Sequence, residues 1–226
     1  MASNNFRMQT TINQLPPKTI IWGGTGQAKA VRPIIENYGS KVVAVFDDTP
    51  NLKTPFPDVQ LYCGYEAFRE WIRKQRTDEI GFCIAIGNPH GRVRLKLHQL
   101  LAHEGLSPIS IAHPTAWVAD SAIISPGAQI LAGAIVAAEA QLGRQCIINN
   151  HALVEHEAIL DDAVEVAPGA TVLGLTSIGV NTLVGASATV LSRLKIGSDV
   201  TIGAGAVVSA DVPDKQTVAG PTKRPL

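Results

Sequence analysis

The 226-residue chain is poor in aromatics, which make up 5% of it, and it holds only two methionines and three cysteines. With so few rings, its core must be built from aliphatic side chains. The cysteines (Cys63, Cys83 and Cys146) are odd in number and show neither a CxxC pair nor Cys/His ligand spacing. That argues against a disulfide framework and for reduced, buried thiols in a cytoplasmic protein. Net charge is absent too, 19 Lys and Arg balancing 19 Asp and Glu. No basic run forms a stripe, so neither nucleic acid nor an anionic membrane is an expected partner. No apolar run reaches the roughly 18 residues of a membrane-spanning helix. The opening MASNNFRMQTTINQLPPK lacks the apolar centre of a secretory signal and reads as a flexible tail over residues 1–18.

What is present is a globular composition, 46% hydrophobic and 17% charged, with 20 glycines and 14 prolines marking many turns. The length allows two small domains. Between residues 19 and 110, apolar runs at Thr19–Trp22, Lys41–Phe46 and Ile80–Ile86 alternate with amphipathic stretches at Gln27–Tyr38, Tyr65–Lys74 and Arg92–Glu104. In the last of these, Val93, Leu97, Leu100 and Leu101 share one helical face. Alternating strands and helices predict an α/β, Rossmann-like domain with a parallel sheet.

After Pro114 the period changes. Every sixth residue from Val118 to Val208 is aliphatic, sixteen in succession, and a second series from Ala122 to Ala206 is mostly small. Helices and sheets have no six-residue period. A triangular parallel β-helix has one: each hexapeptide makes a flat face, the large residue points inward, and the small one sits where the wall turns. Residues 111–226 are thus expected to form an all-β parallel β-helix with a C-terminal tail. Its flat sides would be buried by oligomerisation.

Two places carry chemistry. Trp22-Gly23-Gly24-Thr25-Gly26-Gln27 follows a strand and opens a helix, the context of a phosphate-cradling loop. The strict dinucleotide pattern fails, because Lys29 stands at its third glycine position. Asp47 ends the second strand, where an acidic residue meets a ribose or base. The small domain suits a mononucleotide-sized ligand better than NAD; the plainer alternative is a tight turn beside a solvated strand end. The second place is the repeat region, whose only histidines are His151 and His156. His156 is flanked by Glu155 and Glu157 at a hexad position that can point outward. A histidine can take a proton near neutral pH; the alternative is one polar residue on a solenoid wall.

The motifs IIWGGTGQAKAV (20–31), VFDD (45–48), AIGN (85–88), IAHPTA (111–116), IINNHALVEHEAIL (147–160) and VAGPTKRPL (218–226) resemble the PglD/NeuD-type bacterial sugar acetyltransferases, a branch of the left-handed β-helix acyltransferases. The resemblance implies a homotrimer with active sites between subunits, feeding glycan biosynthesis. It implies acetyl-CoA as co-substrate, no metal, and acetylation of the 4-amino group of a nucleotide-linked deoxysugar. His156 would be the general base, oriented by Glu157, with direct transfer and no acetyl-enzyme. The nucleotide sugar would be held by Thr25, Gly26, Gln27, Asp47, Asp48, Gly87, Asn88 and Asn149. Gln27 stands where the family usually has His, and Glu165 where a second His often meets the cofactor. Gly174, Gly185, Ala186 and Ala204 would let the pantetheine arm approach the backbone, and Lys223 and Arg224 would meet CoA phosphates. Smallness demanded by the corners, and a solvated basic tail, are the alternatives for these two groups.

Three other readings stand beside this one. The same base would serve O-acetylation of a sugar or sialic acid. His151-x4-His156 resembles a histidine spacing of γ-class carbonic anhydrases, although Gly133 and Thr115 stand one and two coils before His151, where a third zinc ligand would be needed. A β-helix scaffold carrying a ligand sensor is the non-enzymatic alternative.

Overall fold

In a computed structural model, residues 12–87 and 89–220 are described. The first domain contains strands β1 (Lys18–Trp22), β2 (Lys41–Asp47), β3 (Leu61–Cys63), β4 (Ile80–Ile84) and β5 (Ser107–Pro108), with helices α1 (Gly26–Asn37), α2 (Gly64–Ile72) and α3 (Gly91–His103). The sheet is parallel throughout, in the order β3-β2-β1-β4-β5. The chain leaves β1 for β2 on one side and later returns to β4 on the other. The carboxyl ends of β1, β2 and β4 therefore border the crevice where the winding reverses, the usual ligand site of such sheets. One face of the sheet packs on an aromatic group in which Phe46 contacts Trp22, Tyr62, Phe68 and Trp71. No aromatic residue occurs beyond Trp117.

From Ile111 the chain winds into a left-handed parallel β-helix of two-residue strands, with 18 residues between equivalent positions of successive coils. Three parallel sheets form the walls of a prism. The inward series from Ile124 to Val208 is buried to 4% exposure or less, and Val118 at the open end is half-buried. The small series fills the corners. Its polar members are satisfied internally: Thr176 and Thr182 donate to Leu191 O and Gly197 O at 3.0 and 2.8 Å, and Cys146 donates to Asp161 O at 3.2 Å. From Gly127 to Gly205 each hexapeptide turns through a left-handed residue, as at Gln145, His151, Glu157 and Asn181, whose φ values lie between 56° and 60°. Left-handed backbone costs about 1–2 kcal/mol at a non-glycine residue. The turn recovers it through ladder bonds such as His151 N to Ala132 O and Glu157 N to Ala138 O, both 2.9 Å.

The three walls are unequal. The wall carrying Gln129, Ile147 and Glu165 is covered by the first domain; all three side chains are buried. The second, carrying Trp117, Ile135, Leu153 and Val207, is open, as is the third, carrying Ile123, Gln141 and Ile159. Trp117 and Val207 are 56% and 67% exposed.

Two expectations need correction. The loose tail does not run to residue 18: Asn13 N donates to Ser110 O at 3.1 Å, Ala112 N donates to Asn13 Oδ1 at 2.9 Å, and Ile12 and Leu15 pack on the cores of the two domains. The buried face of α3 is also rotated from the one its leucines suggested. Gly91, Arg94, His98 and Leu101 are buried while Val93 is 41% exposed. The reason is a neighbour: α3 is wedged between its own sheet and a corner of the prism, so its polar residues face inward. Among the described residues no helix is long and apolar enough to cross a membrane.

Candidate functional site

The crevice at the end of the first sheet is a cleft of about 350 Å³ that unites Thr25, Asp47, Asp48 and Gly87 with Gly23 and His90. Gly23 leaves β1 at φ +107°, and a Cβ there would strike Ala85 O, so only glycine lets the loop pass over β4. Asp47 closes the loop: its carboxylate accepts from Gly24 N at 2.6 Å and from Thr49 N at 2.8 Å. Asp47 thus shapes the cleft through backbone bonds, while Asp48 is exposed at its edge. Gly26 opens α1, whose first turn carries no acidic residue to compete with an anion. A second cavity of about 660 Å³ adjoins the first and shares Asp47 and Thr49 with it.

Gln27 points elsewhere. Its amide donates to Gln129 Oε1 at 2.8 Å, and Gln129 donates to Ile84 O at 2.8 Å, so it ties α1 to the prism wall. Glu165 lies on the same wall, buried below Gly87, with Oε2 3.8 Å from Arg94 Nη1. It belongs to the floor of the domain junction. Asn88, Lys223 and Arg224 lie outside the described residues.

Sequence reasoning missed this junction. Arg94 is fully buried and donates to three carbonyls: Ile86 O at 3.0 Å, Gln145 O at 3.2 Å and Ala163 O at 2.8 Å. The Gln145 amide Nε2 donates to His98 Nδ1 at 2.9 Å, and burial pushes the imidazole toward its neutral form. Arg92 pairs with Asp199, and its N–H donates to Asn181 Oδ1 at 3.1 Å. The Arg92-x-Arg94-x3-His98 spacing on a helix carried that signal, but such a stripe ordinarily faces water.

At the corner between the two open walls stands His156. Its Nδ1 lies 3.1 Å from Glu157 Oε2, and its backbone N–H donates to Glu155 Oε2 at 3.1 Å. The left-handed turn at Glu157 is what brings adjacent side chains together. Nδ1–H donating to the carboxylate leaves a lone pair on Nε2, directed away from Glu157. The ring is 54% exposed and lies over Gly174, the residue one coil further on in the same column. A Cβ at Gly174 would sit 2.6 Å from Cε1 and 2.7 Å from Nε2. Gly174 therefore accommodates the imidazole, a role that the 18-residue coil spacing from His156 could have shown.

The other small residues divide. A Cβ on Gly185 would lie 2.5 Å from Ile202 O, so the next coil alone requires glycine there. Ala186 and Ala204 are exposed on the corner between the covered and open walls, on the same side of the prism as Asn149, whose Oδ1 accepts from Asn150 N at 2.8 Å. His151 is on that corner too, its ring over Gly133. Among the described residues no group of three or more His, Cys, Asp or Glu is placed to hold a metal ion. Burial pushes the thiols of Cys83 and Cys146 up to about 12, so neither is a nucleophile at neutral pH.

Comparison with known proteins adds three findings. Residues 18–99 match the PglD N-terminal domain family. Over 105 residues the chain is 32% identical to the GDP-perosamine N-acetyltransferase of Escherichia coli O157:H7; this stretch is 46% of the chain and 47% of that protein, so the chain matches about half the length of this relative. Two solved structures align along most of the chain. The acetyltransferase domain of PglB from Neisseria gonorrhoeae FA1090, in complex with acetyl coenzyme A, is 29% identical with a TM-score of 0.80, covering 93% of this chain and 100% of that one. PerB from Caulobacter crescentus, in complex with CoA and GDP-perosamine, is 30% identical with a TM-score of 0.76, covering 87% and 91%.

Proposed function

The chain belongs to the PglD-type sugar acetyltransferases, and from that premise we propose that it moves the acetyl group of acetyl-CoA onto the 4-amino group of a nucleotide-linked deoxysugar. The observation that carries the proposal is the His156–Glu157 pair at 3.1 Å on an exposed corner of the prism. Glu157 holds the Nδ1–H tautomer, and Nε2 takes the proton from the sugar amine. The nitrogen attacks the acetyl carbonyl, the C–S bond breaks, and His156 returns its proton to the departing CoA sulfur. The step needs no covalent intermediate, which agrees with the buried, protonated state of Cys83 and Cys146. The nucleotide occupies the cleft at Thr25, Asp47, Asp48 and Gly87. A co-substrate of this kind sets the reaction in the cytoplasm.

The two halves of this site lie on opposite sides of one protomer. The cleft sits over the covered wall beside Glu165, whereas His156 is at the corner opposite that wall. A wall is four to five residues wide, roughly 15 Å at 3.3 Å per residue. That separation favours an amine held in the cleft meeting the His156 of a neighbouring subunit. The open walls that flank His156 carry exposed Trp117, Ile135, Val207 and Ile159, apolar surface for that neighbour to cover. A homotrimer with active sites between subunits, and acetyl-CoA in the groove between prisms beside Ala186 and Ala204, satisfies both facts.

The test is thiol release from acetyl-CoA against a panel of UDP-, dTDP- and GDP-linked 4-amino-6-deoxysugars, with His156→Ala as control. Turnover with a member of the panel, lost in the variant, is expected. Turnover unchanged in His156→Ala, or acetylation only of hydroxyl acceptors, contradicts the assignment.

A further inference from the structure

A nucleotide diphosphate brings at least two negative charges into the cleft, and the described residues that line it include no lysine or arginine. They include two carboxylates instead, Asp47 and Asp48. Asp47 is engaged by two backbone N–H groups, and Asp48 adds like charge at the rim. The arginines that follow on α3 are committed elsewhere: Arg92 to Asp199, and Arg94 to three carbonyls and the nearby Glu165. One lining side chain can carry positive charge, and that is His90.

Its mounting is rigid. His90 caps α3: its carbonyl accepts from Val93 N at 3.0 Å and Arg94 N at 3.1 Å, and its own N–H donates to Gly87 O at 3.3 Å. Arg94 fixes the same turn from below through Ile86 O, and the first turn of α3 is docked on the prism through Arg92 and Asn181. The backbone that presents His90 is thus held by both domains, while the residue is exposed and lines the same cleft as Thr25.

We infer that His90 is a binding residue for the substrate's diphosphate, completing with the N–H groups of α1 and the Thr25 hydroxyl an anion site that the glycine loop alone leaves short of charge. The inference rests on the nucleotide reading of the cleft. An imidazolium is a donor at close range to phosphate oxygen, and hydrogen bonds to charged groups of this type are worth about a tenfold to a hundredfold in affinity. The charged groups that share the cleft with it are Asp47 at the end of β2 and Asp48 just after it, and Glu165 of the prism wall lies by Gly87.

The experiment measures binding of UDP, GDP and dTDP, and of the matching nucleosides, to the full chain at low ionic strength by ligand-observed NMR. His90→Gln keeps a donor and removes the cation; His90→Lys restores a cation. Expected is a loss of about tenfold or more in diphosphate affinity for His90→Gln, recovery in His90→Lys, and nucleoside binding unchanged in both. Equal affinity of His90→Gln and the unaltered chain for the diphosphate overturns the inference, as does equal loss for nucleoside and diphosphate, or no recovery in His90→Lys. Failure of the unaltered chain to bind any of the three diphosphates overturns the nucleotide reading itself.

Discussion

Replacing Gly174 by alanine adds one methyl group directly under the His156 imidazole. The added carbon would lie 2.6 Å from Cε1 and 2.7 Å from Nε2, where ordinary carbon contacts lie near 3.5–4.0 Å. The ring must therefore retreat by about 1 Å. It can do so cheaply, because it is half-exposed and Gly174 does not have a backbone angle that alanine avoids. Stability should change little. Chemistry should not be spared, since a misplacement of about 1 Å in a reacting group costs on the order of 100-fold. The predicted outcome is a kcat about 100-fold lower, with KM for the nucleotide sugar and the thermal midpoint near their original values. Steady-state kinetics and a thermal melt on the same preparation read all three. Full kcat in Gly174→Ala would refute the claim that this ring position matters, and a large fall in the melting midpoint would show that Gly174 serves the coil instead.

Other consequences follow from the junction and the thiols. Arg94→Lys strands buried carbonyls at Gln145, Ala163 and Ile86, so it should destabilise the protein by about 3 kcal/mol in denaturant titration; an unchanged midpoint would contradict the clamp. Asp199 is held at about 2, chiefly by its hydrogen bond to Arg92 and then by Asn181, below an ordinary value of 3.8. Its contribution to stability is thus complete above pH 3.8 and lost as pH falls toward 2, and Asp199→Asn should flatten that part of the stability curve. Cys63 is exposed while Cys83 and Cys146 are buried, so a thiol reagent should label one site in the native protein and three after unfolding.

The β-helix was legible in the sequence because its period is unlike that of any common element and one inward residue per hexapeptide suffices to define it. Ile124 through Val208 needed no tertiary information to be placed. The three helices and the strands of the first domain were legible for the ordinary reason that their apolar periods match their geometry. The short strands Leu61–Cys63 and Ser107–Pro108 were not, since they have only three and two residues. The domain junction was hidden. Arg94 and His98 look like the wet side of an amphipathic helix, and only the nearby corner of the prism makes them core. Gln27 shows the same effect: its loop reads as ligand-binding, yet its amide is turned to Gln129. His156 and Glu157 were found by residue type and motif, but Gly174 was given a different task because its partner lies one coil away in sequence.

The central claim is that the sugar held by one subunit is acetylated at His156 of another, and mixed oligomers test it directly. His156→Ala lacks the base and keeps its cleft; Thr25→Trp fills the cleft and keeps the base. Each alone should be inactive. Co-expressed in equal amounts, random assembly should place an intact cleft beside an intact His156 in about a quarter of the sites, and activity should recover to about that fraction. No recovery in verified mixed oligomers would contradict the account, because it would mean that cleft and base act within one chain.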